Sequence, residues 1–167
     1  MFRILADFVR TTALTSRSAA MSIDGKYDDA NIFAKILRGE APCTKVYEDE
    51  VSLSFMDIMP RTEGHLLVIP KAPARNFLDL PPAELARFMP SVQKLGKAAM
   101  AGMAADGLSV IQFNEAAGGQ VVFHLHFHIL PRWAGVELRP PAGPIENSGK
   151  LAANAARIAA ALKELDL

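Results

Sequence analysis

Three of the four histidines in this 167-residue chain stand in one five-residue stretch, His124-Leu125-His126-Phe127-His128. In extended backbone, residues i, i+2 and i+4 share a face, with steps of roughly 7 Å. The pattern predicts three imidazoles projecting together, with Leu125 and Phe127 buried behind them. Three chemistries fit such a face. Imidazoles on a half-exposed strand can be satisfied by water alone. A His-x-His pair such as His124 and His126 can chelate zinc, with His128 or His65 as third ligand. A neutral imidazole can also attack phosphorus and hold the group covalently. The last chemistry needs a fixed tautomer, donors for phosphate oxygens and a pocket for the rest of the substrate.

The residues just upstream supply candidates. Gly118 and Gly119 allow close backbone approach to an anion, and they also suit a plain turn. Asn114 and Gln120 are neutral donors. Eighteen basic and eighteen acidic residues cancel, so the charge balance speaks against a nucleic-acid backbone as partner. Cys43 is the single cysteine, which excludes an internal disulfide and leaves a metal site to the histidines. No apolar run approaches the roughly 20 residues of a membrane span, so no membrane partner is expected.

The elements that must carry these groups read as follows. Residues 1–21 hold Arg3, Arg10 and Arg17 against one acid, Asp7. They read as a transit-like leader, or as an extension ahead of a start at Met21, without a catalytic role. Residues 22–167 read as one domain with its core over about 28–132, then a proline-rich loop and a last helix. Met21 to Ala30 reads as a polar, mobile lead-in. Asn31 is placed to cap a short helix through Ile32, Phe33, Ile36 and Leu37, stopped by Gly39. Lys45–Glu48 and Val51–Met56 suggest a hairpin, and His65–Ile69 a third strand closed by Pro70. Pro82 opens a long helix whose stripe runs Leu85, Phe88, Met89, Val92, Leu95, Ala99 and Met103. Leu108–Phe113 and Val121–Leu130 are the last strands, the second ended by Pro131. Ser148 is placed to cap the final helix. About five strands with hairpins and two main helices indicate an α+β domain with helices on one face.

Four motifs in this order resemble the histidine triad family of nucleotide hydrolases and transferases. They are Ile32-Phe33-Ala-Lys-Ile36, Phe55-Met-Asp57-Ile58-Met-Pro60, Gly64-His65-Leu-Leu-Val-Ile-Pro70-Lys71, and Asn114-Glu-Ala-Ala-Gly-Gly-Gln120 leading into the histidines and Ile129-Leu130. The resemblance implies a five-stranded, mainly antiparallel sheet that pairs with a second copy to form one continuous sheet in a homodimer. It implies a purine nucleotide of AMP or GMP type as substrate, no cofactor, and a cytoplasmic location. His126 becomes the nucleophile that forms a nucleotidyl-histidine intermediate, with His124 and His128 orienting it and His65 nearby. Asp57 receives the ribose hydroxyls. Phe33, Ile36, Phe55 and Ile58 form the purine slot. Asn114, Gly119, Gln120 and Val121 lie on the phosphate side. Zinc-bearing members carry two cysteines where this chain has Asn31 and Ala34, and phosphoramidases of the family carry serine where it has Val121. Asn114-Glu115 resembles the phosphoramidase branch, whereas Leu130-Pro131-Arg132 resembles the dinucleoside polyphosphate hydrolases. A nucleotide-binding adaptor with little catalysis is the reading from outside the enzymes.

Overall fold

The computed structural model describes residues 25–166; the leader expected over 1–21 lies outside the described residues. Helix α1 (Ile32–Leu37) begins where Asn31 Oδ1 accepts the Ala34 N–H at 2.9 Å. It ends at Gly39, whose φ of +73° suits a residue without Cβ. Strands β1 (Lys45–Glu48) and β2 (Ser52–Met56) form the expected hairpin. Its turn is tied by Asp49, whose Oδ1 accepts from the Val51 and Ser52 N–H groups at 2.9 and 2.7 Å. Strand β3 (Leu66–Pro70), helix α2 (Pro82–Met103), strands β4 (Gly107–Ile111) and β5 (Phe127–Arg132), and helix α3 (Ser148–Glu164) follow. All strand pairs are antiparallel, and the sheet order is β1-β2-β3-β5-β4.

Every residue of β2 and β3 is buried, because both faces of the sheet are covered. One face turns Met56, Leu66, Val68, Phe127 and Ile129 toward α2 and α3, where Phe88, Leu95 and Ile158 complete the main core. The other face turns Leu53, Phe55, Leu67 and Ile69 toward Phe33 of α1, a smaller core. Register carries the chemistry onto this second face: Phe55, Leu67, His128 and Ile111 are successive cross-strand partners. Most of the α2 stripe is buried as expected, but Met89 is exposed and Leu85 only half-buried.

Several boundaries differ from expectation; β3 takes in Pro70 rather than stopping before it, and β4 ends at Ile111 rather than Phe113. The histidine strand begins at Phe127, so only His128 of the triad lies in β5. Its pairing with β3 stops at Val68–Phe127. Beyond that, β3 runs into Pro70, which has no N–H to offer a partner. The Leu125 N–H turns instead to the Ala74 carbonyl at 2.8 Å. Alternation survives this departure: Leu125 is fully buried in the main core. Pro131 does not end β5, which continues to Arg132; it faces Leu108 of β4, the edge strand. The cap of α3 is Asn147 rather than Ser148, with Asn147 Oδ1 accepting from the Gly149 and Lys150 N–H groups. Asn147→Ala should therefore lower stability by about 1 kcal/mol in urea titrations. Ser148→Ala should stay within ~0.5 kcal/mol of the parent.

Candidate active site

Four imidazoles meet beside α1, and their partners fix every tautomer. His126 Nδ1 lies 2.7 Å from the carbonyl oxygen of His124. A carbonyl only accepts, so the proton is on Nδ1 and Nε2 keeps its lone pair. His124 Nε2–H donates to the Pro70 carbonyl at 2.9 Å, which leaves Nδ1 as acceptor for the Tyr27 hydroxyl. The Arg61 N–H donates to His65 Nδ1 at 3.2 Å. His65 Nε2–H therefore donates to His128 Nδ1 at 3.0 Å, and neutral His128 carries its own proton on Nε2. The rings pack in sequence: His65 to His128 at 5.1 Å between centroids, His128 to His126 at 5.0 Å, and His126 to Phe33 at 5.1 Å.

Burial keeps all four neutral. Desolvation first, then the positive charge of Arg61, pushes His65 down to about 3. Desolvation holds His128 at about 3 and His124 at about 4, and lowers His126 as well. His65 Nδ1 lies 3.4 Å from Asp57 Oδ2, but a neutral His65 makes no ion pair there. The other carboxylate oxygen, Asp57 Oδ1, accepts the Met59 N–H at 2.8 Å.

The expected site residues divide into groups. His65, Asp57 and His128 come together, one nitrogen or oxygen of each lying within 4.8 Å of the others. Both His65 nitrogens are already committed, and so are both of His124. The His124–His126 metal pair therefore keeps only the Nε2 lone pair of His126, since both His124 nitrogens are bonded. Phe33 and Phe55 touch edge to face at 5.5 Å and are core residues, Phe33 lying directly against the triad. Ile36 is half-buried, whereas Ile58 and Val121 are open to solvent, Val121 at 85%.

The upstream loop works differently from the expectation. Gln120 is buried, its Oε1 accepting from the Glu115 N–H and its Nε2 donating to the Arg75 and Val122 carbonyls. It is a brace, with no amide hydrogen left for phosphate. The N–H groups of Gly118, Gly119 and Gln120 close turn bonds onto Ala116 and Glu115. Gly119 sits at φ +94°, so its glycine identity serves the turn. Asn114 Oδ1 accepts the Phe77 N–H, and Nδ2 donates to Gln112, leaving one amide hydrogen without a partner among the described residues.

Sequence reasoning missed three groups. Arg75 grips Glu115 through Nε and Nη2 at 2.8 and 2.9 Å and lies 4.1 Å over the Phe123 ring. Asn76 adds a 2.7 Å bond to Glu115. These contacts hold Glu115 at φ +61°, a costly conformation for a residue with a Cβ. Tyr27 comes from the lead-in. None of the three stands in a local pattern that would announce it.

A family model described as the HIT domain matches residues 38–135. The chain belongs to the HIT domain family. It is 36% identical over 140 residues to "Adenylylsulfatase HINT3" of Arabidopsis thaliana, a match covering 77% of this chain and 71% of that protein. It is 41% identical over 101 residues to "Adenosine 5'-monophosphoramidase hnt1" of Schizosaccharomyces pombe, covering 60% of this chain and 73% of the relative. The crystal structure of a Hit-like protein involved in cell-cycle regulation from Bartonella henselae matches with a TM-score of 0.78 at 50% identity, over 82% of this chain and 99% of that one. The names of the two sequence relatives support the expected hydrolase, and the solved structure bears out the expected five-stranded fold. The zinc of cysteine-bearing members does not fit here: Asn31 is committed to capping α1 and Ala34 offers no donor. Among the described residues, no helix is long and apolar enough to cross a membrane.

The depressed imidazoles make stability pH-dependent. An unfolded histidine takes a proton near 6.5, while the folded ones resist it to about 3 or 4. The unfolded state thus binds more protons, and stability falls as pH falls through this window. Each unit below about 6 costs roughly 1.4 kcal/mol per imidazole. Urea midpoints should drop steeply from pH 6.5 to 4.5, and His65→Asn should flatten that slope.

Proposed function

We propose that this protein hydrolyses a purine nucleotide from a small leaving group through a covalent His126 nucleotidyl intermediate. One observation carries the reading: the His126 Nδ1–H is held by the His124 carbonyl, so the Nε2 lone pair is the nucleophile. In the proposed step, Nε2 bonds to phosphorus as the bond from phosphorus to the leaving group breaks. The positive charge that develops on the ring rests on Nδ1–H, against a carbonyl oxygen placed to stabilise it. His128 Nε2–H would hydrogen-bond the leaving nitrogen, which takes its proton from water as its bond to phosphorus breaks; the water that attacks in the second step returns a proton to solvent. Water then attacks phosphorus, and the nucleotide leaves as His126 returns to neutral. Asp57 would receive the ribose hydroxyls, Phe33, Ile36, Phe55 and Ile58 would bound the base, and the free amide hydrogen of Asn114 would serve the phosphate side.

Val121 favours a second leaving-group class. A hydroxyl at this position would help protonate the leaving atom; valine brings none. Leaving groups that depart as stable anions, sulfate or a phosphate chain, need no such help. The adenylylsulfatase name of the Arabidopsis thaliana relative accords with that class. A panel of adenosine phosphoramidate, adenosine phosphosulfate and diadenosine triphosphate ranks the leaving groups. His126→Ala should lower turnover of the preferred one by at least ~10⁴-fold with the fold intact. Near-normal turnover by this variant would refute the mechanism, and tight purine monophosphate binding without turnover of any substrate would favour an adaptor.

We further propose a homodimer joined through β4. This strand ends the sheet order, its outer edge has no strand partner among the described residues, and Val110 on it is 48% exposed. An open edge is a template for a second strand. Sedimentation should give the mass of two chains, and Val110→Asp should shift it toward one.

A further inference from the structure

Residues 25–27 approach the site from outside the motifs. Arg75 Nη1 donates to the Lys26 carbonyl at 3.4 Å. Gly25 lies so close to Arg75 that an added Cβ would stand 2.7 Å from its Nε. The segment then sets Tyr27 against His124, the rings edge to face with centroids 5.5 Å apart. The tyrosine hydroxyl donates to His124 Nδ1.

His124 is fully buried, with its Nε2–H on the Pro70 carbonyl. A buried imidazole anchored at one nitrogen has a lone pair exposed to nothing at the other. Such a ring can ease that cost by rotating or by taking a proton. The Tyr27 hydroxyl removes both incentives, since it satisfies Nδ1 only in this orientation and only while Nδ1 is unprotonated. The main-chain carbonyl of His124 receives the His126 Nδ1–H. We propose that Tyr27 is a positioning residue: by donating to His124 Nδ1 it locks that ring between the lead-in and β3, and so holds the carbonyl that fixes the His126 tautomer. The proposal rests on His126 as the nucleophile.

The surroundings leave this task to Tyr27. His124 is faced by His126 on its own segment, by Phe33 of α1 at 6.3 Å and by the Pro70 carbonyl of β3. The Asn31 side chain and the charges of Asp29, Arg38 and Asp28 act on the phenol rather than on the imidazole. Burial raises the Tyr27 phenol above its ordinary value, so it stays an O–H donor across the working range. Without the hydroxyl, His124 gains a free nitrogen. A proton there would place positive charge beside the nucleophile and weaken it.

Tyr27→Phe removes the hydroxyl and keeps the ring. We expect kcat to fall about 5- to 20-fold, the worth of one buried hydrogen bond, with KM within about twofold. The acid limb of the kcat/KM profile should move up by about one pH unit. Imidazole nitrogen NMR, which needs no substrate, should show His124 as a neutral Nε2–H tautomer in the parent and titrating nearer its ordinary range in the variant. Unchanged kcat with an unchanged His124 spectrum would overturn the proposal. So would a kcat loss that comes with a lower melting temperature and an unchanged spectrum. If the spectrum responds but the parent turns over no nucleotide in the panel, the positioning role stands and the catalytic reading falls.

Discussion

The hydrogen bond from His126 Nδ1 to the carbonyl of His124 spans two residues, and much of the structure exists to keep it in place. An imidazole has two nitrogens and, when neutral, one proton. The nucleophile proposed for His126 needs that proton at a known position. A main-chain carbonyl is a stringent device for this, because it cannot donate and cannot titrate. It is only as good as the peptide that bears it. Here the peptide between His124 and Leu125 is clamped at several points. The Leu125 side chain is buried in the main core, and its N–H is on Ala74. The His124 ring is pinned to Pro70 and Tyr27. Moving any of these would tilt the carbonyl.

The second constraint is dryness. Four imidazoles brought together in water would share protons with solvent and lose their assignments. Buried, each must find partners, and the partners are fixed N–H, O–H and C=O groups. The result is a chain of donors running from the Arg61 N–H through His65 to His128. Apart from Asp57, full charges are kept at the edge. Arg75 and Glu115 neutralise each other in the loop that precedes the triad, where their pairing also holds Glu115 in its left-handed conformation. The loop is tied to itself as well: its glycine N–H groups bond to the Glu115 and Ala116 carbonyls, and buried Gln120 bonds to Glu115, Arg75 and Val122.

The sequence was legible where local physics decides. The alternation of Leu125 and Phe127 with the histidines predicted which residues enter the core, and that holds even where the strand does not form. Asn31 as a cap, Gly39 as a stop and the acidic hairpin turn are short-range effects. The errors have long-range causes. The histidine strand was drawn too early because nothing in Val121 to His126 reveals that the neighbouring strand ends in proline. Gln120 looked like a phosphate donor because a glutamine before a histidine cluster is polar; its partners, the Arg75 and Val122 carbonyls and the Glu115 N–H, meet it only in the fold. Tyr27 lies 97 residues from His124, in a segment whose composition suggested mobility. Its role was invisible because one aromatic residue among acids has no period and no spacing to read.

The chain's zero net charge bears on how such a site treats an anion. Arg75 is paired with Glu115, and Arg61 and Arg139 direct donors to main-chain carbonyls and to Glu146. The groups packed against His126 are uncharged: the Phe33 and His128 rings and the His124 carbonyl. A phosphate entering this environment meets donors that stabilise it without the deep ground-state binding that point charges would give. In the proposed step, positive charge appears on the His126 ring only when Nε2 bonds to phosphorus. At that moment the ring faces the carbonyl of His124 and the nearby carboxylate of Asp57, which favours positive charge on it. On the proposed mechanism, stabilisation is thus reserved for the bonded state, and the same neutrality would let the nucleotide depart once water has released it.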